Sequence, residues 1–156
     1  TVLIQAIKNE IDLPIIAAGG IVNGIGMASA FAAGAEAIQM GTRFVSSIES
    51  PVHDNFKDSI KSAGTDGTYI LNKSSKPVIR ALKTEFTKDI YEKGLMSMGD
   101  LAKIKDLYFG GDMNAAPALA GQSSGLINEV KSVKNIIDET ISEYNEVCSR
   151  LSKNLF

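Results

Sequence analysis

The sequence predicts an α/β fold built on parallel strands. Two short apolar runs, LPIIAAGGI at 13–21 and AIQMGTR at 37–43, each pass through glycine into helical patterning. Apolar runs of this length, bounded by turn residues, suit strands buried on both faces. A helical segment precedes the first run and another separates the two, giving the helix–strand–helix–strand order of a sheet covered by helices.

The elements follow in order. Residues 1–10 read as a helix, with Val2, Leu3, Ala6 and Ile7 on one face. Pro14 breaks it, because proline cannot continue a helix and biases its predecessor to extended backbone. A first strand is expected at 15–18 and a second at 35–40. Between them lies a helix at 23–33 rich in small residues, closed by Gly34 as a left-handed cap. Helices are expected at 43–47 and 52–63, the latter with Phe56, Ile60 and Ala63 inward. A turn at 64–67 leads to a short strand at 68–71 and an extended or irregular stretch at 76–82. Further helices are read at 83–93, ended by Gly94, and at 101–109, closed by Gly110 and Gly111. Residues 118–127 are small and should pack tightly. Ser132 caps a final helix at 133–151, with Ile136, Ile137, Ile141, Tyr144 and Val147 as its apolar stripe.

The paired turns suggest an anion site. A strand that ends in glycine lets a ligand approach the backbone, and a following helix points unpaired N–H groups and a positive dipole end at the same place. Such a phosphate cradle recurs after strands 7 and 8 of (β/α)8 barrels. Two strands cannot close a barrel of eight, so two readings stand. The chain is a small α/β domain of another kind, or it is the C-terminal part of a TIM (β/α)8 barrel. Its opening in helical register, without an initiator methionine, favours the second. An exposed barrel edge would then favour self-association.

Composition narrows the class. The 156 residues are 44% hydrophobic and carry a formal net charge of -2, so no basic excess is present to neutralise nucleic-acid or membrane phosphates. No apolar run is long enough to suggest a membrane span. The single cysteine, Cys148, cannot form an internal disulfide, fits a reducing cytoplasm, and is read as a packing residue of the last helix. No cluster has metal-ligand spacing.

The motifs LPIIAAGGI (13–21), GAEAIQMGTRF (34–44), Glu49-Ser50-Pro51-Val52-His53, and Ala120-Gly121-Gln122 before Gly125-Leu126 resemble, in order, the C-terminal half of FMN-dependent nitronate monooxygenases, formerly 2-nitropropane dioxygenases. That family is closely similar to the flavin-dependent enoyl-acyl-carrier-protein reductases. The resemblance implies terminal βα units of a barrel with an FMN phosphate site at 1–50, an insertion or lid at 51–114, and C-terminal helices packing back at 115–156. It implies that Gly20 meets the FMN phosphate through its N–H and that Gly19 serves the tight turn. Gln39, Met40, Gly41 and Thr42 would form a second phosphate-binding turn, with the Thr42 hydroxyl an extra donor. Gln122 is implied at the flavin or substrate, with a buried, hydrogen-bonded glutamine the alternative.

The implied activity is oxidation of alkyl nitronates with O2 to a carbonyl product and nitrite. Two other readings remain: an NAD(P)H-dependent enoyl-acyl-carrier-protein reductase, and a non-catalytic binding module. The family's catalytic histidine base lies upstream of the segment matched here, so no residue of this chain is assigned as catalytic. His53, the sole histidine, reads as a surface or helix-cap residue. Arg43 suits a phosphate partner or a salt bridge in the barrel wall equally. Tyr69, Tyr91 and Tyr108 are read as packing residues.

Overall fold

The computed structural model describes residues 2–153. Thr1, expected to begin the first helix, and 154–156 at the end of the expected C-terminal region lie outside them. In chain order the elements are α1 (Val2–Glu10), β1 (Ile16–Ala18), α2 (Gly24–Ala32), β2 (Ala37–Gln39), α3 (Thr42–Val45), α4 (Asp54–Ser62), β3 (Thr68–Leu71), β4 (Ile79–Leu82), α5 (Glu85–Lys93), a 3-10 turn (Met98–Leu101), α6 (Ile104–Tyr108), a second 3-10 turn (Gln122–Leu126) and α7 (Val133–Ser152). They fall into two compact units, Thr1–Met40 with Lys131–Phe156, and Gly41–Val130.

In the first unit β1 and β2 pair in parallel, with Ile16 opposite Ala37 and Ala18 opposite Gln39. Apolar contact around Ala17, Ile21, Ala30 and Ala35 holds this pair to its helices, with Ile4, Phe31, Ile38 and Met40 packed alongside. Small side chains at the centre let the elements approach closely. The tightest approach is at Gly24, the first residue of α2, where an added Cβ would lie 2.3 Å from the Tyr144 backbone nitrogen and 2.5 Å from the Thr140 carbonyl oxygen of α7. The small residues of α2 therefore serve helix-on-helix packing as well as contact with the sheet.

Two helix faces differ from the sequence expectation. On α1, Ile4 and Ile7 are the half-buried positions, whereas Val2 and Leu3 are 81% and 70% exposed. On α7 the inward residues are Ile136, Thr140 and Val147, while Ile137 and Ile141 face outward. Thr140 reaches the buried stripe because its hydroxyl donates to the Ile136 carbonyl at 2.7 Å, so its polar group is satisfied within the helix. Cys148 is exposed and not a packing residue. Ser132 caps α7 as expected, its hydroxyl accepting from the Asn135 N–H.

The second unit is built on an antiparallel hairpin, with Thr68 opposite Leu82 and Leu71 opposite Ile79. The stretch at 76–82, read as extended or irregular, contributes β4 over its last four residues. Leu71, Ala81, Ile90 and Met96 form the core beneath the hairpin. Residues 118–127 pack tightly: the Leu82 N–H donates to the Ala118 carbonyl at 2.8 Å, and Ala81 bridges Leu119. Thr84 and Thr87 cap α5, which ends at Gly94 with φ 73°, a left-handed turn. Of the helix expected at 101–109, α6 forms Ile104–Tyr108, while Leu101 ends the first 3-10 turn.

The Gly24 contact is backbone against backbone, so no side-chain rotation can relieve a clash there. Gly24→Val is expected to lower the unfolding free energy by about 2 kcal/mol or more, read as a lower urea midpoint. A midpoint equal to that of the unaltered protein would contradict the packing described.

Candidate functional site

The parallel register fixes where the glycine turns lie. Because Ala18 faces Gln39, both strands of the first unit end at the same edge of the sheet. Gly19 and Gly20 leave β1 there, and Met40 leaves β2. Gly19 has φ 98° and Gly20 φ 77°, backbone conformations that favour glycine, and a Cβ built at either meets nothing within 4 Å. The space in front of this turn is open. The N–H groups of Gly19 and Gly20 donate to no backbone carbonyl among the described residues. Gln39 is exposed, while the Met40 side chain packs into the apolar core and leaves its backbone at the edge.

The helix behind this turn does not contribute as the sequence suggested. The Gly24 N–H at the start of α2 donates to Glu143 Oε2 at 2.8 Å, and the Gly26 N–H donates to Asn23 Oδ1 at 3.0 Å. A carboxylate and a side-chain amide of the chain itself therefore occupy the positive end of α2. The N–H groups left without a backbone acceptor at this turn include those of Gly19 and Gly20.

In the second unit, Gly41 precedes α3 in a right-handed conformation, and a Cβ built on it also meets nothing within 4 Å. Glycine at 41 is thus required by neither backbone nor neighbours, and leaves open space. The Thr42 hydroxyl is an acceptor: the Gly121 N–H donates to it at 2.9 Å. Its own proton remains available to a ligand. This bond ties α3 to the turn that carries Gln122, so the structure joins two parts of the chain that the sequence singled out separately. Gln122 itself is exposed, which excludes the buried alternative.

The remaining candidates make contacts within the protein. Arg43 is 7% exposed and donates to the Glu129 carbonyl at 2.9 Å and to Ser46 Oγ at 3.4 Å. His53 caps α4, its Nδ1 accepting from the Asn55 N–H at 3.1 Å. Tyr108 packs its ring 5.1 Å from that of Phe56, and burial raises the pKa of its phenol. Tyr69 and Tyr91 stack 4.4 Å apart. The contributions of Glu143 and Gly121 escaped sequence reasoning. Each acts across a long loop, and a helical Glu or a loop Gly gives no sign of its partner.

A parallel strand pair covered by helices, with a glycine turn leaving its first strand, defines an α/β protein. The family model for nitronate monooxygenase matches residues 1–143, and the chain belongs to that family. Its structure is similar to that of FabK from Thermotoga maritima, with a TM-score of 0.93 and 38% identity over 99% of this chain and 51% of that one. It is 26% identical over 155 residues to a probable nitronate monooxygenase of Staphylococcus saprophyticus, covering 95% of this chain and 43% of that protein. It is 34% identical over 96 residues to a Rhodococcus jostii enzyme named (3aS,4S,5R,7aS)-5-hydroxy-7a-methyl-1-oxo-octahydro-1H-indene-4-carboxyl-CoA dehydrogenase, covering 62% of this chain and 27% of that protein. The chain thus spans between 27% and 51% of the length of these relatives. Among the described residues no helix is long and apolar enough to cross a membrane.

The Thr42–Gly121 bond gives a direct check. Thr42→Val is expected to cost about 1 kcal/mol and to speed hydrogen exchange of the Gly121 amide, while Thr42→Ser preserves both. Equal exchange in the valine variant would show that the bond does not hold this turn.

Proposed function

We propose that this chain is the C-terminal part of a (β/α)8-barrel flavoenzyme and that it supplies the FMN phosphate anchor. The observation that carries this reading is the Gly19–Gly20 turn: two consecutive residues with positive φ, no neighbour within 4 Å of a built Cβ, and N–H groups without a backbone acceptor. A phosphate dianion needs several such donors, and a turn of this form presents them without moving. Gln39 and Met40 end the neighbouring strand at the same edge and would add backbone contacts. Gly41 and Thr42 follow them in the chain and are proposed as further donors on the family resemblance, as is Gln122 for the substrate. None of these residues titrates near neutral pH, so any pH dependence of FMN binding there should follow the phosphate alone, weakening as the pH falls below its second pKa of about 6.

Bound FMN supplies two-electron redox chemistry, and the protein's part is to fix its position against the substrate. The reading favoured by family membership is oxidation of an alkyl nitronate with O2 to a carbonyl product and nitrite. The similarity to FabK favours a second, reduction of an enoyl thioester by NAD(P)H. Neither reading assigns a catalytic acid or base to this chain. Under both, the region at 1–50 carries the anchor, 51–114 is an insertion, and 115–156 packs back on the barrel. The apolar groove of about 580 Å³ beside Leu3, Ile4 and Ile16 is the face that further barrel strands, or a second copy, would cover.

Gly20→Ala must place a side chain on a left-handed backbone and is expected to weaken FMN binding by about tenfold, measured by flavin fluorescence. Unchanged affinity would remove Gly20 from the anchor, and an absence of flavin binding by the protein with its barrel complete would favour a non-catalytic module. In that complete protein, anaerobic flavin reduction by nitronate and not by NADPH supports the first activity, and the reverse supports the second. The 156-residue chain alone is expected to show no nitronate turnover, and measurable turnover would refute its assignment as a part.

A further inference from the structure

A second cleft is lined wholly by residues of the unit Gly41–Val130 and by none of the Gly19–Gly20 turn. It has a volume of about 400 Å³ and is lined by Lys73, Arg80, Lys83, Tyr69, Tyr91 and Gln122, among others. That size lies within the range of small-ligand sites. The two tyrosine rings stack with their planes 17° apart. The Lys73 ammonium lies 4.9 Å from the centroid of Tyr91, and that of Lys83 lies 5.2 Å from the centroid of Tyr69. Cation–π contact of this kind restrains two long side chains that would otherwise sample many rotamers.

The charges do not balance. Lys83 is paired with Asp66 at 3.0 Å, and this hydrogen bond, with the lysine's charge, holds the Asp66 carboxyl below its usual range. Arg80 is half-buried, and one of its terminal nitrogens donates to Thr68 Oγ1 at 2.8 Å, a neutral acceptor. Neither Arg80 nor Lys73 makes a salt bridge to a carboxylate among the described residues. Three cations against one carboxylate leave a local excess of two positive charges on a chain whose net charge is -2. A half-buried guanidinium with donors to spare favours an oxyanion with several acceptor oxygens.

We propose that this cleft is a binding site for a phosphate-bearing small molecule, with Arg80 and Lys73 as the groups that contact the phosphate and Gln122 as a neutral donor beside them. Two lysines held over aromatic rings beside a half-buried guanidinium gather the positive charge in one small area, which favours a compact dianion over an extended acidic peptide. The cleft shares no residue with the proposed phosphate anchor at Gly19, Gly20 and 39–42, and only Gln122 with the proposed substrate contacts, so either can fail without the other.

The test is titration of the ¹⁵N-labelled protein with pyrophosphate, with ADP, and with a ten-residue polyglutamate peptide, following backbone amide shifts. Pyrophosphate is expected to move the amides of residues around Lys73, Arg80 and Gln122. Arg80→Gln and Lys73→Gln should each weaken that response by about fivefold or more, while Lys103→Gln, outside the cleft, leaves it unchanged. Equal affinity for pyrophosphate and ADP identifies the phosphate group alone as the ligand; tighter ADP binding identifies a nucleoside phosphate. Both support the proposal. Shifts confined to residues 19–42, an unaltered response in both glutamine variants, or tighter binding of polyglutamate than of pyrophosphate would each overturn it.

Discussion

The pairing of Ala18 with Gln39 is the constraint on which the functional reading depends. Parallel strands end on the same side of a sheet, so this register alone brings the Gly19–Gly20 turn and the end of β2 to one edge. A slip by one residue would turn every side chain of β1 to the opposite face and expose Ala17, which is 5% exposed as it stands. The same apolar contacts that bury Ala17 against Ile21, Ala30 and Ala35 therefore also aim the glycine turn. Packing and site geometry are one requirement here.

At the edge so defined, the protein offers backbone and little else. Burying N–H groups without acceptors would be costly, but these groups face open space and can be solvated until a ligand arrives. The α2 terminus is closed by Glu143, which neutralises a helix end that could otherwise attract an anion a turn away from the glycines. The carboxylate thus stabilises the α2–α7 packing at Gly24 and leaves the loop as the remaining donor set. In the second unit, the Gly121 N–H held by Thr42 ties the residue before Gln122 to α3. The turn is also held locally, the Gly121 carbonyl accepting from the Ser124 N–H at 3.1 Å and from its hydroxyl at 2.7 Å.

Much of this was legible in the residues. The two strands could be read because their apolar runs are bounded by proline, glycine and charged residues, and the caps at Ser132 and Gly94 because few residue types serve those positions. Strand β3 was placed at its observed bounds from its β-branched and aromatic content. The inward faces of α1 and α7 were misread for one reason. Both helices carry more apolar residues than one stripe can hold, so Val2, Leu3, Ile137 and Ile141 compete with the residues that do pack. Contacts between distant residues were not legible at all. Nothing in the sequence marks Glu143 as the cap of a helix 119 positions earlier, or Lys73 and Lys83 as neighbours of stacked tyrosines. These depend on tertiary placement, which periodicity does not encode.

The central claim is that backbone donors at the end of β1 hold a phosphate. Comparing FMN with riboflavin, which lacks only that group, tests it most directly, in the protein with its barrel complete. The account predicts that FMN binds about a hundredfold more tightly than riboflavin or better. Equal affinities would contradict it, because the phosphate would then contribute nothing that the glycine turn could supply.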